Sequence, residues 1–114
     1  MITSEYGAPR GRSRHQGIDV SAPAGTPVRT TADGKVVLAE RTGTYGRTVL
    51  VDHGNGWQTR YAHLKRIKVE RGEKLTRGDV VGTVGRSGNA SGPHLHYEIL
   101  RNGTPVDPRP YLGR

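Results

Sequence analysis

Polar and apolar residues alternate strictly from His94 to Ile99. His94, His96 and Glu98 fall at one parity, and Leu95, Tyr97 and Ile99 at the other. A period of two is that of a half-buried β-strand. Trp57 to His63 alternates in the same way. The turn signal His53-Gly54-Asn55-Gly56 separates it from a strand at Thr48 to Asp52, so the two are predicted to pair as a hairpin. Shorter runs predict strands at Gln16 to Ser21, Val28 to Thr31, Lys35 to Glu40 and Asp79 to Val84, with Ala32-Asp33-Gly34 as the turn joining the second and third. Arg41 to Gly46 is a further turn, Leu64 to Val69 an irregular or extended connection, Gly85 to Pro93 a Gly/Ser/Asn loop, and Asn102-Gly103 a hairpin turn. No window carries a 3.6-residue period. Segments recur every 8–12 residues or so, which predicts an all-β sandwich or barrel. The 114 residues form one domain, with an N-terminal loop over 1–14 and a Pro-rich tail over 104–114. Gly25-Thr26-Pro27-Val28 followed by Gly34-Lys35-Val36-Val37 is echoed by Gly72-Glu73-Lys74-Leu75 followed by Gly78-Asp79-Val80-Val81. The echo fits either a duplicated half-domain or two ordinary hairpins.

Composition agrees with short strands and many turns: 17 Gly and 7 Pro, but only 32% hydrophobic residues, one Trp and no Phe. No run approaches the roughly 20 consecutive apolar residues that a membrane-spanning helix needs. The N-terminus lacks the charged and apolar regions of a signal peptide. Because the chain starts so close to its first motif, it is expected to be a domain excised from a longer exported protein. Eighteen Lys and Arg against ten Asp and Glu give a net charge of +8, which favours an anionic partner. Cysteine is absent, so any metal must be held by His and carboxylate.

Those donors are placed suggestively. On a strand His94 and His96 share one face, and neutral imidazole is the commonest protein metal ligand. His15-Gln16-Gly17-Ile18-Asp19 puts a second His and a carboxylate four apart, on one face of a strand or a helix. Gly17 between them has no side chain to obstruct an ion. Tyr61-Ala62-His63-Leu64 adds a third histidine at the end of its strand. Each element alone also reads as a loop, turn or core residue. The helical His-Glu-x-x-His motif, a Gly-x-Ser-x-Gly elbow and a P-loop are all absent.

Together, His15-x-x-x-Asp19, Tyr61-Ala62-His63-Leu64, Gly85-Arg86-Ser87-Gly88 and Ser91-Gly92-Pro93-His94-Leu95-His96-Tyr97-Glu98 resemble the lysostaphin-like, LytM-type (M23) zinc metallopeptidases over about Tyr6 to Asp107. The resemblance implies a mostly antiparallel all-β sandwich or half-barrel with an open groove across one sheet. It implies one Zn2+ held by His15, Asp19 and His96, with His63 and His94 beside the zinc-bound water as catalytic residues. It also implies cleavage of peptide cross-links in bacterial peptidoglycan, an anionic cell-wall polymer met in the periplasm or outside the cell.

Three protein ligands would leave a fourth zinc position for water, as catalytic zinc requires. His94 is expected to accept the water proton, and His63 to bind the developing oxyanion or protonate the leaving amine. The residues alone leave these roles interchangeable. Glu98 reads either as an orienting partner of a ligand or as a solvated carboxylate. Tyr45, Arg86 and Asn89 are candidates for the substrate groove. Trp57 and Tyr61 fit the core as well as the groove, and His53 reads as a turn residue. A monomer is expected. The alternative is a non-catalytic wall-binding or amidase-activating module of the same fold. Nucleic-acid binding rests on charge alone, because no aromatic stacking array accompanies it. A phosphate carrier on His would leave His15-x-x-x-Asp19 without a purpose. The sequence does not choose between glycine bridges and D-amino-acid stem cross-links as the bond cut.

Overall fold

A computed structural model describes residues 2–4, 9–10, 13–14, 17–86 and 92–106. Among them are twelve strands, one 3-10 turn (Gly43–Tyr45) and no α-helix. The strands are β1 (Ile2–Ser4), β2 (Pro9–Arg10), β3 (Ser13–Arg14), β4 (Ile18–Ser21), β5 (Pro27–Arg29), β6 (Gly34–Thr42), β7 (Gly46–Gly54), β8 (Trp57–Ile67), β9 (Lys74–Leu75), β10 (Val80–Val84), β11 (His94–Arg101) and β12 (Thr104–Val106). One antiparallel sheet runs β1-β4-β11-β8-β7-β6-β9. β10 pairs with β5 and β8, and β12 pairs with β11. The predicted all-β, antiparallel class stands.

Several boundaries differ from the sequence reading. The segment read as an N-terminal loop contains β1, β2 and β3, and the tail begins with a strand that pairs with β11. Most of the connection read at 64–69 belongs to β8, which runs on to Ile67 and is held there by β10. Strands β5 and β6 follow one another through Ala32-Asp33-Gly34 but do not pair. β5 lies on β10 and β6 on β7 and β9. Edge pairing with distant strands outweighs the local turn here, and local pattern does not encode it.

That cross-pairing gives the internal echo a structural counterpart. Gly25 N–H donates to Val84 O and Gly72 N–H to Val36 O; Val84 N–H donates to Thr26 O and Val36 N–H to Glu73 O. The turns match as well, with Thr26 N–H on Pro23 O and Glu73 N–H on Glu70 O, both at 3.1 Å. Gly25 and Gly72 hold equivalent positive φ values of 92° and 95°, a conformation glycine adopts without steric cost. The two segments thus hold one another through matching hydrogen bonds. The equivalent of Val36 is Val84, not Val80 as the sequence echo aligned it.

Val36, Val49, Val51, Tyr61, Leu64 and Val81 form the best-buried part of the core. Tyr61 is therefore a core residue. Trp57 is half-buried against the core, with the Arg101 guanidinium 4.6 Å above its ring. His53 is a turn-fixing residue. Its Nδ1 lies 2.7 Å from Asp33 O, and its Nε2 lies 2.7 Å from Thr59 Oγ1.

Candidate metal centre

The site lies where β4, β11 and β8 run side by side. Register places His96 opposite Asp19 on one flank and Ala62 on the other. Because β4 and β11 share this register, Asp19 and His96 turn to the same face while Ile18 and Tyr97 enter the core. Asp19 Oδ1 and His96 Nδ1 are 2.9 Å apart, and both residues are buried. His94 Nε2 lies 3.8 Å from the same carboxylate oxygen.

The tautomer of His94 follows from its partners. Its Nδ1 is 2.8 Å from Gly92 O, a carbonyl that can only accept, so Nδ1 carries the proton. Nε2 is left with its lone pair. It is buried and has no hydrogen-bond partner among the described residues. A buried acceptor without a donor is rare in folded proteins.

His63 reaches this face by an irregularity. In strict alternation it would share the core face with Tyr61. The pairing of β7 with β8 advances two residues on β7, from Arg47 to Val49, against three on β8, from Leu64 to Tyr61. The extra residue makes a β-bulge, and His63 sits in it with φ at 61°, in the left-handed region. The bulge turns its ring to the front face, 5.0 Å from the His94 ring and 6.0 Å from that of His96.

Glu98 is fully buried, so it is not a solvated strand carboxylate. Its Oε2 accepts from His96 Nε2–H and from the Tyr45 hydroxyl, both at 2.8 Å. Its Oε1 accepts from Arg60 at 2.7 Å. Burial alone would raise the carboxyl pKa, but His96, Tyr45 and Arg60 outweigh it and hold Glu98 below its ordinary value. Burial disfavours the imidazolium of His96 too, yet hydrogen bonds to Asp19 and Glu98 win and raise its pKa. Desolvation first, and then the hydrogen bond to Glu98, push the Tyr45 hydroxyl up to about 12. Tyr45, read from sequence as groove lining, is thus a half-buried donor to Glu98.

Gly17 also packs closely against β11. A Cβ there would lie 2.8 Å from Glu98 Cγ and would collide with the Tyr97 carbonyl. The missing side chain makes room for β11. Arg86 is exposed one residue beyond Gly85, which bridges to His94. His15 and Asn89 lie outside the described residues. Among the described residues no group of three His, Asp or Glu gathers as a complete metal site. Asp19 and His96, two of the three residues expected to hold a metal, stand side by side. Local sequence pattern carries no signal for Arg60. It becomes visible once Ala62 is paired with His96, because Arg60 then stands opposite Glu98.

The family described as Peptidase family M23 matches residues 13–108. The chain belongs to this family. It is 49% identical over 94 residues to the DD-carboxypeptidase/endopeptidase Mpg of Neisseria meningitidis serogroup B, covering 82% of this chain and 22% of that protein. It is 45% identical over 93 residues to the peptidoglycan DD-endopeptidase ShyA of Vibrio cholerae, with the same coverage of each chain. The chain therefore spans about a fifth of the length of these relatives. Among solved structures, the catalytic domain of the antimicrobial peptidase lysostaphin from Staphylococcus simulans superposes with a TM-score of 0.92 at 29% identity, covering 100% of this chain and 92% of that one. A zinc-containing peptidase from Vibrio cholerae gives 0.88 at 35% identity, covering 94% of this chain and 35% of that one.

Proposed function

We propose that this M23 domain is a zinc-dependent endopeptidase acting on the peptide cross-links of bacterial peptidoglycan. The observation that carries the reading is the convergence of Asp19 Oδ1, His96 Nδ1 and the unpartnered His94 Nε2 on one buried spot. The donors fit zinc, which takes imidazole nitrogen and carboxylate oxygen. His15, Asp19 and His96 would hold the ion. When bound, zinc would polarise the scissile carbonyl and acidify the attacking water.

The remaining chemistry falls to the two other histidines. His94 keeps its proton on Nδ1 for Gly92 O, so Nε2 is the atom that accepts the proton of the attacking water. His63, held beside it by the bulge, hydrogen-bonds the oxyanion as charge develops, and the proton that His94 takes up is the one passed on to the leaving amine. Glu98 accepts the Nε2–H of His96 and so directs Nδ1 toward Asp19. Arg86, which is exposed, and Asn89 remain the candidates to meet the polymer, and the +8 charge suits an anionic wall. The names of the relatives favour a D-amino-acid stem cross-link as the bond cut, and a site of action in the periplasm or outside the cell.

Metal analysis of the purified chain, followed by incubation with defined cell walls and mass spectrometry of the fragments, tests the reading. One zinc per chain and chelator-sensitive release of cross-link peptides are expected. His15→Ala, Asp19→Ala or His96→Ala should lose both. Bound zinc without hydrolysis of any wall would instead support the non-catalytic module, and full activity in a His63→Ala, His94→Ala double variant would overturn the mechanism.

A further inference from the structure

The buried carboxylate of Glu98 has more partners than a link to His96 requires. Arg60 faces it across the β8–β11 register and takes Oε1 at 2.7 Å. The Tyr45 hydroxyl, from the turn between β6 and β7, shares Oε2 with His96. The Arg60 guanidinium lies 4.7 Å over the Tyr45 ring, and that ring lies 5.6 Å from the ring of His96. The backbone at Gly17 closes another side, with no space for a Cβ beside Glu98 Cγ.

We propose that Arg60 and Tyr45 are positioning residues for the metal centre, acting on His96 through Glu98; the proposal rests on the zinc reading above. A carboxylate held by one hydrogen bond can swing about its terminal torsion, which is soft and broad. With Arg60 on Oε1, that swing is blocked. With Tyr45 on one side of Oε2, a single acceptor direction remains, and His96 Nε2–H fills it. The imidazole is then fixed both in tautomer and in rotation about its own torsion. Nδ1 points at Asp19, where the metal is read to bind. Neither Arg60 nor Tyr45 needs to touch metal or substrate. Outer partners of this kind typically change metal affinity 10- to 100-fold when removed.

The test measures zinc affinity by chelator competition, together with the visible spectrum of the cobalt(II)-loaded protein, for wild type, Tyr45→Phe and Arg60→Gln. Tyr45→Phe keeps the ring and removes only the hydroxyl. Both variants should bind zinc about 10- to 100-fold more weakly, and wall hydrolysis should recover at excess zinc with KM unchanged. Tyr45→Phe should have little further effect in a Glu98→Gln background, because its effect runs through the carboxylate. If Arg60→Gln does not fold, Arg60→Lys keeps the charge but offers no planar fork, and should fall between wild type and Tyr45→Phe in affinity. Unchanged zinc affinity and cobalt spectrum with a lowered melting temperature would overturn the proposal in favour of a structural role. A raised KM with unchanged metal affinity would overturn it in favour of direct substrate contact by Tyr45. Wild-type protein that binds no zinc would instead overturn the underlying reading.

Discussion

The backbone at His63 gives a sign that can be measured. A residue with a Cβ at φ 61° carries a steric penalty of about 1–2 kcal/mol relative to the right-handed region. Removing the imidazole costs the same packing in His63→Ala as in His63→Gly, so the difference between these variants isolates the backbone. Glycine relieves the penalty but loses about 0.5–1 kcal/mol more conformational entropy on folding than alanine. The glycine variant should therefore be the more stable by about 0.5–1 kcal/mol. At a regular strand position the order reverses, with alanine ahead by a similar amount. For a domain of this size 1 kcal/mol moves the melting temperature by about 4 °C, so His63→Gly should melt roughly 2–4 °C above His63→Ala. The comparison belongs in metal-free protein, by thermal and urea unfolding, so that zinc linkage does not enter. An alanine variant that matched or exceeded the glycine variant would refute the bulge, and with it the account of how His63 reaches the front face.

Gly17→Ala should destabilise by about 2–4 kcal/mol, since the new Cβ meets the Tyr97 backbone as well as Glu98, and urea midpoints would show it. His53→Ala should cost about 1–2 kcal/mol through the lost links to Asp33 and Thr59 and leave zinc affinity unchanged by chelator competition. The pH dependence of the metal-free protein has a defined shape. His96 is raised above its ordinary 6.5, so its contribution is full below that value and is lost as pH climbs through the folded pKa. Glu98 is lowered from 4.5, so its contribution is present above that value and is lost as pH falls through its folded pKa. Urea midpoints should be highest between about pH 4.5 and 6.5 and decline on either side, and zinc should flatten the alkaline decline by replacing a proton on His96. Metal-free stability that rises steadily from pH 6.5 to 8 would contradict this.

The parts of the site that follow a period of two were legible in the sequence. His94, His96 and Glu98 share a face because β11 is regular, and Asp19 joins them because β4 is regular over the four residues paired with it. What resisted reading was each departure from local pattern. His63 carries the wrong parity for its face, and no glycine marks the bulge that corrects it. The cross-pairing of β5 with β10 and of β6 with β9 joins strands distant in the chain, although a turn between β5 and β6 suggests a hairpin. Local chemistry proposes the nearest partner, and pairing across the whole sheet selects the distant one.

Glu98 shows why a ligand set read from sequence describes only part of a metal centre. Its carboxylate lies 53 positions from Tyr45 and 38 from Arg60, so no motif joins the three. Yet a fully buried carboxylate is tolerable only when such donors surround it, because an isolated charge in the interior would cost several kcal/mol. The need for compensation is thus itself predictive. Once alternation puts Glu98 beside His96 on a face that the sheet then covers, some cation and some hydroxyl must come to it. Register makes Arg60 the cation, and the turn before β7 delivers the hydroxyl of Tyr45. The carboxylate that ties Arg60 of β8 and Tyr45 of the preceding turn to β11 is thus the same one that would aim His96 at the proposed metal position.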